Sequence, residues 1–151
     1  MDAEIQIEQA GKADLDSIVQ IENSCFEADN FSRRQLSYLI GKARGGCFIA
    51  RMEGKAVAYI CLIWRLGNAN LRIYSLAVLP AARGRKAAQA LIDKSIEYAR
   101  QQGLTELTLE VKSDNTAALG LYTKNMFCRT SILPGYYHDG TDAWHMKREV
   151  Q

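Results

Sequence analysis

Leu76-Ala77-Val78-Leu79-Pro80-Ala81-Ala82-Arg83-Gly84-Arg85-Lys86-Ala87-Ala88-Gln89-Ala90 decides how the rest of the chain is read. An apolar run ends at Pro80, which cannot donate to a sheet ladder. A loop of small and basic residues follows, and then a helix begins. Ala88, Leu91, Ile92, Ser95, Ile96 and Ala99 recur at the spacing of one helical face. Gly103 stands where a left-handed residue would end that helix. The first amides of a helix have no intrahelical acceptor and carry partial positive charge, so such a junction suits a phosphate. Arg83, Arg85 and Lys86 add charge there, while Gly84, Ala87 and Ala88 leave room for a ligand. The plainer alternative is a strand-to-helix loop whose basic residues are simply solvated.

Outward from this junction the periodicities give an alternation of strands and helices. Ile5-Gln6-Ile7-Glu8 alternates as a strand does. Asp14 is positioned to cap a helix carrying Leu15, Ile18 and Val19, and Ser32 to cap a second carrying Leu36, Leu39 and Ile40, which Gly45-Gly46 should break. Cys47 to Arg51 and Ala56 to Trp64, separated by Glu53-Gly54, predict an antiparallel hairpin. Leu71 to Leu79 predicts a fourth strand and Leu104 to Val111 a fifth, with Leu107, Leu109 and Val111 on one face and Thr108 and Glu110 on the other. Thr116 to Lys124 reads as a helix, and Phe127 to Leu133 and Ala143 to Val150 as closing strands. The fourth and fifth strands flank a helix and should run parallel through a right-handed crossover. The expected fold is a mixed α/β sheet, mostly antiparallel with a central parallel pair, forming one domain over residues 1–151.

Composition narrows the function classes. The chain is 48% apolar and 24% charged with a net charge of +2, an ordinary globular balance without the basic stripe of a nucleic-acid module. The start at Met1-Asp2-Ala3-Glu4 is polar, and Ala56 to Trp64 is too short to span a bilayer, so a cytoplasmic location is expected. Cys25, Cys47, Cys61 and Cys128 form no C-x-x-C pair and read as free thiols; neither they nor His138 and His145 have the spacing of a metal site.

The run from Arg83 to Ala88 resembles the acetyl-CoA signature of GNAT acetyltransferases, [QR]-x-x-G-x-[GA], with Lys86 at the usual glycine. A second stretch is similar to that family's late motif: Leu109-Glu110-Val111, then Asn115-Thr116-Ala117-Ala118, then Leu121-Tyr122 and Phe127. Met126 takes a second glycine position there, and Asn125 before it is the expected left-handed cap. Tyr136-Tyr137, Asp139-Gly140, Asp142-Ala143 and Met146 resemble the tail of RimI-type N-terminal acetyltransferases, as Ile21-Glu22, Phe26 and Phe31-Ser32 resemble their first helices. The resemblance implies acetyl-CoA as donor, contacted by Leu76, Ala77, Val78, Arg83, Gly84, Arg85, Lys86, Ala87, Ala88, Asn115, Ala118 and Tyr122. It implies Glu110 as general base, Tyr122 as general acid and the Val78 amide as the group that polarises the thioester. The plain alternative for Glu110 is a solvated carboxylate paired with Lys112. Asp29, Phe31, Tyr136 and Tyr137 are expected around the acceptor, a protein or peptide N-terminus. Two further readings stay open. One is a small amine held by Glu27, Asp29, Asp139 and Asp142; the other is a CoA-binding domain without turnover. A monomer or weak dimer is expected.

Overall fold

The computed structural model describes residues 4–26, 29–84 and 86–150. Its elements are β1 (Ile5–Gln9), α1 (Leu15–Cys25), α2 (Arg33–Gly41), β2 (Gly45–Met52), β3 (Lys55–Ile63), β4 (Asn70–Val78), α3 (Ala87–Gln101), β5 (Glu106–Lys112), α4 (Thr116–Lys124), β6 (Cys128–Leu133) and β7 (Ala143–Glu149). The strands form one seven-stranded sheet in the order β1-β2-β3-β4-β5-β7-β6. Among the described strands only β4 and β5 are parallel, as the crossover through α3 requires. No described helix is long and apolar enough to cross a membrane.

Each face of the sheet is covered. On one, Leu91, Ile92, Ile96 and Ala99 of α3 bury against Ile60, Leu62, Leu71, Leu107 and Leu109. On the other, Ile18 and Ile21 of α1 and Leu36 and Leu39 of α2 bury against Ile49, Tyr59 and Ala77. Each leucine or isoleucine among them contributes about 1.5–3 kcal/mol when fully withdrawn from water.

The feature that positions the site is where β4 and β5 part. Their pairing covers only Asn70–Arg72 against Glu106–Thr108. Immediately beyond, Cys61 of β3 opposes Ser75 while Leu62 opposes Ile73, so Tyr74 is an extra residue on β4. Such a bulge bends its strand and re-aims side chains. Leu71 and Ile73 face α3, whereas past the bulge Ala77 faces α1. The bent strand leaves β5, and a gap opens toward the C-terminal ends of both.

Several local features differ from the sequence expectation. Asp14 does not cap α1: its carboxylate accepts the Gly11 N–H at 2.9 Å and pairs with Arg51 at 2.8 Å, closing a 3₁₀ turn instead. Ser32 does cap α2, in a reciprocal pair with Gln35. Gly45 and Gly46 open β2; a Cβ on Gly45 would lie 2.0 Å from the Leu62 carbonyl oxygen. Cys47 and Cys61 are not free thiols. They are opposed across the β2–β3 ladder and joined as a disulfide, leaving Cys25 and Cys128 free.

The C-terminus of α4 corrects the Asn125 expectation. Asn125 keeps a negative φ, and Met126 takes the left-handed conformation at φ 71°. The Met126 N–H bonds to Thr123 and the Phe127 N–H to Tyr122, a Schellman closure sealed by the Tyr122–Phe127 ring contact at 5.7 Å. Asn125 is otherwise engaged: its amide exchanges hydrogen bonds with Gln89 of α3 at 2.7 and 2.9 Å. Lys86, just before α3, is likewise left-handed at φ 68°.

A polar cluster lies buried beneath α1. Glu22 is 1% exposed and accepts hydrogen bonds from the Tyr59 hydroxyl, the Ser75 hydroxyl at 3.5 Å and the Phe31 N–H at 2.9 Å. Burial pushes its carboxyl above the usual range, against the lowering effect of those donors.

Two stability predictions follow from these details. Met126 is 71% exposed, so Met126→Gly removes little packing. Left-handed strain of roughly 1–2 kcal/mol, less glycine's extra entropy in the unfolded chain, leaves a gain of about 0.5–1 kcal/mol, read as a higher Tm. Glu22 binds its proton more tightly folded than unfolded. The stability this adds is present below the unfolded value and is lost as pH rises through the folded one. Glu22→Gln, which cannot titrate, should therefore gain on the wild type as pH rises from about 4 to 8 in denaturant titrations; a constant difference would contradict the assignment.

Candidate acyl-transfer site between β4 and β5

The gap is lined differently on its two rims. On β4, the Leu79 N–H bonds to Val57 of β3 at 2.8 Å. By the alternation of an antiparallel ladder, the N–H and C=O of Val78 therefore point to the other edge, into the gap. So do those of Leu76, while Ala77 bonds toward β3. The Val78 carbonyl is occupied, accepting from Cys25 Sγ and Arg83 Nε, each at 3.2 Å. Burial raises the Cys25 thiol, with Arg83 opposing. Among the described residues no strand lies across from the Val78 N–H.

Below that rim α3 begins. Lys86 supplies no side-chain cap to it, and among the described residues no side chain accepts from the first amides of this fifteen-residue helix. Ala87 is buried, whereas Arg83, Gly84 and Lys86 lie on the surface. Lys86 bends the backbone into the left-handed form that a glycine would take without cost. Arg85 lies outside the described residues. Asn115 caps α4, its side chain accepting the Ala118 N–H at 3.1 Å, which fixes that helix beside the gap.

On the β5 rim, Leu107, Leu109 and Val111 enter the core under α3, and Glu110 points to the opposite face. Glu110 pairs with Arg72, its side chain 12% exposed. Lys112, the partner expected for a merely solvated Glu110, instead pairs with Asp139 at 3.0 Å. The Thr141 hydroxyl and amide, and then that contact, hold the Asp139 carboxyl well below its ordinary range. Tyr122 is buried in the cluster under α3 and α4, so it approaches from the face opposite Glu110. Burial, with Tyr137 adding to it, keeps its phenol protonated well beyond the ordinary range.

The segments at the two ends of the chain meet over Glu110. Asp29, after α1, accepts the His138 N–H at 3.1 Å through both carboxylate oxygens. Phe31 packs on Tyr74 at 4.8 Å between ring centroids, and Tyr136 on Tyr137 at 5.0 Å. The Tyr137 phenol is pushed up to about 12 by burial, then by Tyr136, Glu110 and Asp29. Asp142 accepts the Gly135 N–H at 2.9 Å. Asp29, Asp139 and Asp142 are thus all used to fasten loops; Glu27, the fourth acid of the small-amine reading, lies outside the described residues.

Arg72, Tyr74, and Tyr59 and Ser75 as the partners of Glu22, stand in none of the motifs the sequence offers. A signal for Arg72 existed: once β4 and β5 are parallel with Arg72 beside Thr108, period two puts Arg72 and Glu110 on one face.

Residues 15–126 match the Acetyltransferase (GNAT) family. An N-alpha-acetyltransferase of Sulfurisphaera tokodaii is 29% identical over 95% of this chain and 92% of its own length. Two other relatives are longer: the chain spans 39% of an uncharacterized protein of Mycobacterium leprae, at 30% identity, and 54% of the Arabidopsis thaliana N-alpha-acetyltransferase MAK3, at 34%. The ribosomal-protein-S18-alanine N-acetyltransferase of Escherichia coli superposes with a TM-score of 0.88 at 26% identity, covering 98% of this chain and 95% of that one. With the β4–β5 gap and the two motifs that line it, these matches identify the chain as a member of the GNAT family of acetyltransferases.

Proposed function

We propose that the chain transfers acetyl from acetyl-CoA to the α-amine of a peptide or protein N-terminus, within residues 1–151 as one domain. The observation that carries this reading is the arrangement of polar groups about the gap. Glu110 stands on the α1–α2 face, Tyr122 on the α3–α4 face, and the Val78 N–H on the rim between them. Acetyl-CoA supplies an acetyl group activated as a thioester. Its phosphates suit the uncapped start of α3 with Arg83 and Lys86, and Gly84, Ala87 and Ala88 leave that approach open. Leu76, Ala77 and Val78 offer β4, and Asn115 and Ala118 hold the start of α4 beside it.

The residues then divide the proton traffic. Glu110 takes the proton from the amine as its nitrogen adds to the acetyl carbonyl carbon. The Val78 N–H stabilises the charge that develops on the carbonyl oxygen. Tyr122 returns a proton to the sulfur as the carbon–sulfur bond breaks, a task suited to a phenol kept protonated by burial. Asp29, Phe31, Tyr136 and Tyr137 frame the acceptor entrance. The similarity to N-alpha-acetyltransferases and to the alanine N-acetyltransferase of Escherichia coli supports an α-amine as acceptor.

Acetyl-CoA at a hundredfold excess over its Kd should stabilise the fold by about 2.7 kcal/mol, visible as a raised Tm; no shift at millimolar levels would remove it as donor. Glu110→Gln should lower kcat on an alanine-initiated peptide by about 10²- to 10⁴-fold while sparing that shift. Tyr122→Phe should lower kcat similarly and keep the Phe127 contact. Wild-type turnover in Glu110→Gln between about pH 6 and 9 would exclude the carboxylate as base. Acetylation of polyamines, with none of free α-amino peptides, would overturn the acceptor.

A further inference from the structure

Arg72 occupies the centre of the proposed acceptor entrance. Its guanidinium pairs with Glu110, lies 5.0 Å above the Tyr74 ring and approaches the Tyr136 hydroxyl at 3.5 Å. Tyr74 leads on to Phe31, and Tyr136 to Tyr137. One side chain thereby touches the proposed base and both aromatic walls. The hydrogen bonds to Glu110 and Tyr136 both leave from Nη2. Nε and Nη1 bond to no described residue, and the side chain is 39% exposed. A guanidinium has five N–H donors and accepts nothing, so three of them are left for whatever lies against Glu110.

The surrounding charges restrict what that is. Glu110 is paired with Arg72, Asp139 with Lys112, and Asp29 accepts the His138 N–H. A polycation entering here meets a fixed positive charge and carboxylates that already have partners. A single amine with a carbonyl one carbon away meets a better match: the nitrogen goes to Glu110 and the carbonyl oxygen takes the idle donors. A peptide N-terminus has that pattern.

We propose that Arg72 is the specificity-determining residue of the acceptor site, donating to the carbonyl of the acceptor's first residue and disfavouring polyamines. The inference rests on the acceptor reading above and names how it is enforced. The tyrosine beneath holds the guanidinium flat, and the ion pair fixes its rotation, so the idle donors keep one orientation.

The test compares two acceptors in wild type, Arg72→Gln and Arg72→Lys. One is an alanine-initiated peptide. The other is its isostere with CH₂–CH₂ in place of the first CO–NH, which keeps the amine and removes the carbonyl. Wild type should prefer the peptide by about tenfold or more in kcat/KM, the effect of a hydrogen bond from a charged group. In Arg72→Gln that preference should shrink to within about threefold, with Arg72→Lys between, and relative kcat/KM for spermidine should rise. The Tm shift with acetyl-CoA reports that each variant is folded; if Arg72→Gln fails it, Arg72→Lys alone decides, by whether it narrows the preference. An undiminished preference in the variant overturns the proposal. So does an equal loss on both acceptors, which would reduce Arg72 to a positioning residue for Glu110. Wild type acetylating no free α-amine is a different result: it removes the acceptor class, and this role with it.

Discussion

The site depends on the shortness of the β4–β5 ladder. A parallel pair can continue only while both strands keep the same bend, and the extra residue at Tyr74 ends that after Arg72. Had the ladder continued, the Val78 amide would have been consumed by β5 and no opening would exist through the sheet. Tyr74 shares the α1 face with Arg72 by ordinary alternation and meets Phe31 there, and the bulge turns Ser75 and Ala77 to that face as well. One inserted residue therefore both opens the gap and furnishes one wall of it.

Helices α3 and α4 frame the opposite side, and how they end matters as much as how they pack. Lys86 and Met126 stand where the family pattern has glycine, and both take the left-handed conformation. A conformation that suits glycine is thus adopted by other residues at a local cost, and the surrounding contacts hold it. At α4 these are the Schellman hydrogen bonds, the Tyr122–Phe127 contact and the Asn125–Gln89 amide pair. Because Tyr122 belongs to that closure, the proposed acid is positioned by the end of its own helix.

Much of the architecture was legible in the residues because periodicity reports burial. The stripe from Leu91 to Ala99 and the alternation at Leu107, Leu109 and Val111 lie where the pattern requires, although Ala87 and not Ala88 is the buried residue at the head of the stripe. The misses have a common origin in one-residue events. Without the irregularity between Ala50 and Arg51, the register Met52–Lys55 would set Cys47 opposite Ile60; the shift sets it opposite Cys61 and permits the disulfide. No spacing in the sequence announces that shift. Asp14 does not act as the cap its position suggests because a distant arginine, Arg51, competes for its carboxylate. Asn125 has the better intrinsic propensity for a left-handed cap, but its side chain is held by Gln89, and Met126 takes the strain instead. In the site, the motif residues were readable from resemblance, whereas Arg72 required the register of two strands separated by a helix.

The strand that carries Glu110 is held asymmetrically. It shares three register positions with β4 but seven with β7, from Glu106–Glu149 to Lys112–Ala143. β7 lies after β6 in the chain and is threaded between β5 and β6 in the sheet. Until β7 docks, β5 presents an almost unpaired backbone edge of apolar alternation, a template for pairing with another chain. A nascent chain interrupted in the loop between Leu133 and Ala143 would carry both motifs and α3, yet expose that edge. The docking of β7 thus converts β5 from an aggregation hazard into the support of the proposed base.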